Sequence, residues 1–260
     1  MARHPIAVTS RAKPTAADLA QAESVASRWH VPYLARAALG GLPALLTQAE
    51  TLLVVERSGV SLWDGEGRAR WSPGLAALRL RALDEGGQGE ALVRVGGLAL
   101  GERVLDCTLG LAQDARVAAR LVGQRGQLVG LEVSLPLAML AAEGLAREAE
   151  EPRSARIEVH QADCRAYLAA LPRGSFDVVL FDPMFSKERR AQPSFALLRR
   201  LASGARLDAA TLAAARRVAR RAVLVKAPRY GPELKALGLT PQAASRSAPV
   251  VWARAPPDGP

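Results

Sequence analysis

Short apolar runs alternate with stretches rich in Ala and Leu from Gly96 onward. This alternation favours a mostly parallel open sheet with helices on both faces, because parallel strands are buried on both sides and need crossover helices between them. We therefore predict an α/β fold. The predicted strands are RVLDC (103–107), QLVGLE (127–132), RIEVHQ (156–161), FDVVLF (176–181), AVLVK (222–226) and APVVWARA (248–255). The tail PPDGP that follows the last strand is expected to be disordered.

The first 90 residues show a different pattern. Residues 6–9 predict a short strand, and Thr15 with an acid in the following turn predicts a helix that runs to about Trp29. LLVVE (52–56) and VSLW (60–63) predict two strands joined at a Ser-Gly turn. We expect 1–90 to form a small α+β accessory region and 91–260 to form the main domain.

Composition limits the class of protein. Of the 260 residues 49% are apolar, which is enough for one full core with a small appendage. The apolar runs are broken well before the roughly 18 residues that a membrane span needs, and the N-terminus has no apolar signal core. Two cysteines, Cys107 and Cys164, fit neither a disulfide framework nor a metal-ligand spacing. We expect a cytoplasmic protein without a metal and not bound to a membrane.

A net charge of +10 would attract a polyanion. Only four of the 35 basic residues are Lys, so the excess of Arg could equally reflect the nucleotide composition of the genome. One basic group directly follows the predicted fourth strand and is the better candidate for phosphate contacts: Lys187, Arg189, Arg190, Arg199 and Arg200. A second group is spaced to form one stripe on a helix, where a solvated face is the usual explanation: Arg216, Arg217, Arg220 and Arg221.

Carboxylates stand at the ends of four predicted strands. Asp106 ends the first strand, Glu132 ends the second, Asp163 follows the third and Asp182 ends the fourth. In open α/β sheets the ligand lies beyond the carboxyl ends of the strands. An ionised group there must be paired or solvated. Four acids in succession therefore indicate a polar ligand with hydroxyl, amine and cationic groups.

The loop TLGLAQD (108–114) narrows the ligand further. It contains Gly110 but has Ala112 where a second glycine is expected, so it lacks the G-x-G-x-x-G pattern. A pyrophosphate needs several glycines for close backbone approach, whereas an amino-acid-bearing nucleoside tolerates a bulkier loop. Glu132 lies 22 positions beyond Gly110 and is predicted to bind both ribose hydroxyls, and Asp163 to bind the adenine amine. The alternatives are that Gly110 is an ordinary turn glycine, that Glu132 caps the next helix and that Asp163 is a solvated loop residue.

Asp182, Pro183, Met184 and Phe185 form the strongest local signal. This turn resembles the (Asp/Asn)-Pro-Pro-aromatic motif of methyltransferases that act on amino groups of nucleobases and glutamine. An aromatic amine has its lone pair delocalised into the ring, so acceptors that bind its N–H groups favour the pyramidal nitrogen that accepts a methyl group. The Asp182 carboxylate and the Pro183 carbonyl would be those acceptors, and Phe185 would offer a stacking face. A plain core role for Phe185 is the alternative.

The chain resembles the bacterial small-subunit ribosomal RNA guanine-N2 methyltransferases of the J type and their less characterised Gram-positive relatives. The segments that carry the resemblance are VLDCTLGLAQDA (104–115), FDVVLFDPMFSKERRA (176–191) and AVLVKAPRYGPEL (222–234), with Glu132 and GLA (144–146) in register between them. The resemblance implies a Rossmann-like class I methyltransferase fold, which would make 91–260 the methyltransferase domain. It also implies S-adenosylmethionine as cofactor, no metal, and ribosomal RNA or the small ribosomal subunit as partner.

The resemblance also assigns site residues. It implies cofactor contacts at Asp106, Thr108, Gly110, Asp114, Glu132, Asp163 and Asp182. It implies target-base contacts from Asp182 to Phe185, Met184 included, and a phosphate or base contact at Lys226 and Arg229. Lys187, Arg189 and Arg190 are expected to bind the substrate because of their charge and their position next to this turn. Two residues depart from the family pattern: Ala112 replaces a glycine and Ser186 replaces a proline.

Three other functions are compatible with parts of this pattern. A methyltransferase of adenine in nucleic acid, or of a protein glutamine, would use similar acceptors. An RNA-binding protein without activity would not need Glu132, Asp163 and the Asp-Pro turn. A nicotinamide-dependent oxidoreductase is disfavoured by the missing glycine pattern.

Overall fold

The computed structural model describes residues 3–87, 90–148, 152–183, 193–204, 206–242 and 248–259. The described residues form two compact units, each made of several chain segments. The first unit lies within 1–72, 134–149 and 188–202, and the second within 73–133, 150–187 and 203–260. The division at residue 90 stays a prediction. By packing, the second unit already begins at Pro73, and the later segments 134–149 and 188–202 belong to the first unit.

The helices and strands are as follows. The strands are β1 (His4–Ser10), β2 (Ala49–Glu56), β3 (Gly59–Trp63), β4 (Arg68–Arg70), β5 (Arg103–Asp106), β6 (Gln127–Glu132), β7 (Ile157–Gln161), β8 (Phe176–Phe181), β9 (Ala219–Pro228), β10 (Pro241–Gln242) and β11 (Val250–Ala255). The helices are α1 (Ala16–Arg28), α2 (Arg36–Leu39), α3 (Leu42–Leu45), α4 (Gly74–Asp84), α5 (Gln113–Val122), α6 (Leu135–Leu145), α7 (Cys164–Ala170), α8 (Pro193–Leu201), α9 (Ala209–Val218) and α10 (Glu233–Ala236), with a π-helical turn over Leu92–Gly96. Among the described residues, no helix is both long and apolar enough to cross a membrane.

The first unit contains a sheet of order β1-β2-β3-β4. The strands β1 and β2 are parallel, and the remaining pairs are antiparallel. Helix α1 begins with a capping box, in which the Thr15 hydroxyl accepts from the Asp18 N–H and the Asp18 carboxylate accepts from the Thr15 N–H. The predicted strands and helix of this region are confirmed. The structure adds β4, which is short and lies at the edge of the sheet.

The second unit contains a sheet of order β10-β11-β9-β8-β5-β6-β7. The strands from β9 to β7 are all parallel to their neighbours, whereas β11 is antiparallel to β9 and β10 is antiparallel to β11. Leu105, Val129 and Val179 pack on one face of the sheet with Leu168 of α7 and Leu212 of α9. Successive side chains alternate between faces, so their neighbours in the strands point to the opposite face. The predicted mostly parallel α/β sheet is confirmed.

Two expectations about the basic residues and the tail are wrong. Helix α9 ends at Val218, so Arg220 and Arg221 lie on β9 and do not continue a helical stripe. Arg221 donates to both carboxylate oxygens of Glu102, at 2.6 and 2.8 Å. The tail is ordered through residue 259, because the Asp258 N–H donates to a backbone carbonyl of α9 at 3.1 Å and an arginine side chain binds the last described carbonyl.

Gly144 provides a test of packing in the first unit. A Cβ atom at this position would overlap the indole ring of Trp71. Gly to Ala in a helix normally stabilises by roughly 1 kcal/mol, but overpacking a rigid ring costs about 1–3 kcal/mol. We therefore expect Gly144→Ala to lower the melting temperature. Gly204→Ala, at a position with open space around it, is the control and should leave the melting temperature unchanged. A more stable Gly144→Ala variant would contradict this packing.

Candidate active site

The parallel register brings the strand ends to one edge of the sheet. Asp106 pairs with Leu180, and Phe181 pairs with Val225 on the neighbouring strand. Asp182 and Lys226 therefore follow paired positions on β8 and β9, and their side chains meet at 2.7 Å. The strands that the sequence predicted to carry ligand-binding acids thus end side by side.

The loop after β5 is held by two of its backbone N–H groups, which donate to a backbone carbonyl and to a side chain of the neighbouring strand β6. The N–H of Leu109 donates to the carbonyl of Leu131 at 2.9 Å, and the N–H of Gly110 donates to Oε2 of Glu132 at 3.0 Å. Gly130 makes room for this loop, because a Cβ atom there would lie 2.5 Å from a methyl group of Leu109. Glu132 is 8% exposed, so the predicted ribose acceptor is also part of the structure that fixes the loop.

Thr108 and Ala112 show how the loop is shaped. The Thr108 hydroxyl accepts from the N–H of Asp182 at 2.6 Å, and the Thr108 N–H donates to Asp106 at 3.0 Å. Gly110 and Ala112 both have left-handed backbone conformations, with φ of 51° and 60°. For Ala112 this conformation costs roughly 1–2 kcal/mol because of its Cβ atom. The alanine that departs from the family pattern is therefore a strained residue at the start of α5.

A chain of ion pairs crosses the site. Nζ of Lys226 donates to Oδ2 of Asp182 at 2.7 Å and to Oδ2 of Asp114 at 2.8 Å. The other oxygen of Asp114 accepts from Arg79 at 2.5 Å. Arg79 also binds both oxygens of Glu90, at 2.6 and 2.9 Å. The sequence analysis missed Arg79, because no motif marks it and it lies 35 positions before its partner Asp114.

Burial and neighbouring charges shift the pKa values of these groups. Burial raises the pKa of Asp182 to about 6 although Lys226 opposes the shift, and burial raises the pKa of Asp106 to about 7. Burial would also raise the pKa of Asp114, but Lys226 and Arg79 outweigh it and the pKa is lowered. Burial opposes the charge of Lys226, yet its two carboxylate partners raise its pKa. Lys226 and Asp114 are therefore held as an ion pair.

Asp163 lies in a different environment. It caps α7 by accepting from the N–H of Arg165 at 2.9 Å, and the Arg165 guanidinium binds both of its carboxylate oxygens. The side-chain hydrogen bond from Arg165 lowers the pKa of Asp163. The predicted contact with an adenine amine stays a prediction, and it requires this arginine to share the carboxylate.

The remaining predicted residues are distributed as follows. Pro183 is described and half-buried, whereas five residues lie outside the described part of the chain: Met184, Phe185, Lys187, Arg189 and Arg190. Nε of Arg229 donates to the carbonyl of Ala248 at 2.6 Å. Arg200, one of the candidates for a phosphate contact, already donates two hydrogen bonds to the carboxylate of Asp64.

Tyr230 is a second residue that the sequence analysis missed. Its side chain is 94% exposed, and it is the most exposed large apolar or aromatic residue in the described ranges. It lies in a turn that follows β9, closed by a hydrogen bond of 3.1 Å from the N–H of Gly231 to the carbonyl of Pro228. The turn continues from the same end of the sheet as Asp182, so it places an aromatic ring beyond the site edge.

The donor set fits the cofactor that the sequence predicted. The buried acids Asp106 and Glu132 and the partly buried Asp182 would accept hydrogen bonds from hydroxyl and ammonium groups and attract a cationic centre. They would repel a pyrophosphate. The N–H of Gly110, which a phosphate-binding loop would offer to its ligand, already donates to Glu132. The residues present therefore suit an amino-acid-bearing nucleoside with a positive charge.

Comparisons with known proteins agree with this chemistry. Residues 48–248 match a family model described as "Putative SAM-dependent methyltransferase". The chain is 32% identical over 237 residues to the uncharacterized protein YpiP of Bacillus subtilis, which covers 89% of this chain and 92% of that protein. It is 33% identical over 214 residues to the ribosomal RNA small subunit methyltransferase J of Pseudomonas fluorescens, covering 75% of this chain and 79% of that protein.

One solved structure is similar over nearly the whole chain. It is a SAM-dependent methyltransferase from Neisseria gonorrhoeae, with a TM-score of 0.66 and 22% sequence identity. The alignment covers 98% of this chain and 97% of that one. At this identity the likeness supports the fold, which is the Rossmann-like fold predicted from the strand pattern.

Glu132 gives a test of the cofactor site. Glu132→Gln keeps an acceptor for the Gly110 N–H but removes the charge and one acceptor oxygen. Hydrogen bonds to charged groups contribute about 1.5–3 kcal/mol, so we expect S-adenosylmethionine to bind about 10- to 100-fold more weakly. Isothermal titration calorimetry measures this. Glu158→Gln, an exposed acid on β7, is the control. Equal affinity in the folded Glu132→Gln variant would remove Glu132 from the site.

Proposed function

We propose that this chain, which belongs to the family of S-adenosylmethionine-dependent methyltransferases, methylates the exocyclic amine of a guanine in small-subunit ribosomal RNA. The observation that carries the proposal is Asp182, a partly buried carboxylate held at the end of β8 by Thr108 and Lys226. The cofactor supplies an electrophilic methyl group on a sulfonium. The carboxylate supplies an acceptor where an amine would lie.

The proposed chemistry requires little acid–base catalysis. Asp182 would accept a hydrogen bond from the amine and so stabilise the positive charge that grows on nitrogen during transfer. Its oxygen Oδ2 is held by Lys226, so the second oxygen is the one that we assign to the amine. The Pro183 carbonyl would bind the other N–H, and Phe185 would stack on the base. Once methylated, the nitrogen is acidic and loses its proton without a strong base.

Three observations support RNA as the substrate class. The net charge is +10, and a group of basic residues follows the Asp-Pro turn directly in sequence. The relative from Pseudomonas fluorescens is named as a ribosomal RNA methyltransferase. Tyr230 offers an exposed ring beyond the same sheet edge, and stacking of a base on an aromatic ring contributes about 1–3 kcal/mol.

The assignment of the other residues follows from this proposal. We propose cofactor contacts at Asp106, Thr108, Gly110, Glu132 and Asp163. We propose substrate contacts at Met184, Lys187, Arg189, Arg190 and Arg229. Because ribosomal RNA is the proposed substrate, we also propose that the protein acts in the cytoplasm.

Asp182→Ala tests the proposed chemistry. An acceptor that binds more strongly in the transition state than in the ground state contributes mainly to turnover, so we expect single-turnover methylation to slow by about two to three orders of magnitude. Cofactor affinity should fall less. Asp177→Asn, at the amino end of the same strand, is the control. Methylation by Asp182→Ala at close to the wild-type rate would disprove the role of this carboxylate.

Salt dependence tests the RNA assignment. If Lys187, Arg189 and Arg190 contact phosphates, their replacement by Ala should flatten the plot of log affinity against log salt by about 0.7–0.9 for each contact. The control variant removes the same charge at three exposed arginines: Arg57, Arg81 and Arg94. Mass spectrometry of the RNA nucleosides identifies the product. Equal salt slopes for wild type and the triple variant, or a methyl group away from a nucleobase amine, would contradict the assignment.

A further inference from the structure

The ion pairs at the sheet edge connect four segments of the second unit. Glu90 and Arg79 come from the segment before β5, Asp114 from the first turn of α5, Lys226 from β9 and Asp182 from the end of β8. The positive and negative groups alternate along the whole chain of contacts. Each internal member therefore touches an opposite charge on both sides.

The middle of this chain of ion pairs is shielded from water, whereas the side chain of Asp182 at its end is 36% exposed. The side chains of Asp114 and Glu90 are 5% and 7% exposed, and that of Lys226 is 19% exposed. Buried ion pairs are a costly way to stabilise a fold, since desolvation consumes most of the Coulombic attraction and apolar side chains would serve as well. In some proteins buried charged groups instead hold a particular geometry in place. The group whose geometry is fixed here is the acceptor proposed for the target amine.

We propose that Arg79 and Asp114 are positioning residues of the methyl-transfer site, which act through Lys226 to hold the Asp182 carboxylate in place. This inference deepens the proposed function and rests on it. It changes the roles expected from the sequence, which were a phosphate or base contact for Lys226 and a cofactor contact for Asp114. Lys226 would have to leave two carboxylates to reach a phosphate.

The ammonium group of Lys226 also determines when Asp182 is charged. Within the part of the chain that the structure describes, the charged groups that face Asp182 are Lys226 on β9, Asp114 on α5 and Asp106 on β5, with Arg79 of α4 behind Asp114. Burial and Asp114 raise the pKa of Asp182, and Lys226 lowers it to its net value of about 6. A carboxylate acts as an acceptor when it is ionised, so activity should rise with pH through this pKa.

The sign of each substitution follows from these charges. Lys226→Gln removes the positive charge and should move the Asp182 titration, and the acid limb of kcat, to higher pH by about 1–3 pH units. Arg79→Gln removes a more distant positive charge, so it should move the Asp182 titration and the acid limb of kcat in the same direction but by a smaller amount. Asp114→Asn removes a negative charge and frees Lys226 for Asp182, so both should move to lower pH. Arg79→Lys should restore part of the wild-type behaviour.

The primary measurement is a carbon-13 NMR titration of the aspartate side-chain carboxyls in the cofactor-free protein. Asp182→Asn and Asp106→Asn assign the two resonances that titrate near neutral pH. The pH profiles of kcat and the KM for RNA form the second measurement, in which we expect the positioning variants to change kcat more than KM. Thermal melts show which variants are folded.

Arg221→Gln is the matched control. Arg221 lies on the same strand as Lys226 but away from Asp182, and it donates to both carboxylate oxygens of Glu102. The substitution removes this ion pair, whose side chains are about as exposed as those of the Lys226 ion pairs. It should lower the melting temperature and leave the Asp182 titration unchanged. If Arg79→Gln does not fold, Lys226→Gln and the isosteric Asp114→Asn carry the test.

The outcomes separate this inference from the proposed function. Opposite shifts of the Asp182 titration in Lys226→Gln and Asp114→Asn, with a shift in Arg79→Gln and none in Arg221→Gln, support the positioning role. If the wild type methylates RNA but none of the variants shifts the titration, these ion pairs serve stability alone and the inference is wrong. If the titrations shift as expected but the wild type does not methylate RNA, the coupling stands and the proposed function fails.

Discussion

The ammonium group of Lys226 lies between Asp114 and Asp182, and the rest of the site depends on this contact. Asp106 and Asp182 lie at the ends of neighbouring strands, Asp114 lies in the first turn of α5, and the three aspartates interact electrostatically. Carboxylates packed together cannot all be ionised without a counter-charge. Lys226 supplies that charge from the neighbouring strand. Asp114 can therefore stay ionised while Asp182 is also available as a hydrogen-bond acceptor.

The parallel sheet makes this contact possible. Its register places Phe181 opposite Val225, so that the next residue on each strand brings the carboxylate and the ammonium group together. The loop after β5 then closes the edge, since the Thr108 hydroxyl binds the backbone of Asp182 and Gly110 binds Glu132. A shift of one residue in either strand would turn these side chains to the other face. The chemistry is therefore a direct consequence of strand pairing.

Much of this arrangement could be predicted from the sequence, and the part that could not has a physical explanation. Local apolar runs predict the strands and the acids at their ends, and the carboxyl ends of parallel strands lie at the same edge of an open sheet. The contact between Arg79 and Asp114 joins residues 35 positions apart, and that between Lys226 and Asp114 joins residues 112 positions apart. No local pattern encodes such pairs. The left-handed backbone conformation of Ala112 could not be predicted from the sequence either, because alanine rarely adopts it.

The excess of arginine in this chain makes the lysine at position 226 informative. Only four of the 35 basic residues are Lys, so a bias in nucleotide composition would favour Arg wherever a cation of either kind suffices. A planar guanidinium presents a rigid fork of five donors, which suits Arg79 as it binds both oxygens of Glu90 and one of Asp114. At Lys226 the single nitrogen of a compact ammonium group lies 2.7 and 2.8 Å from oxygens of two different carboxylates. The two cations of the site therefore bind their carboxylates in different ways, Arg79 through several nitrogens and Lys226 through one.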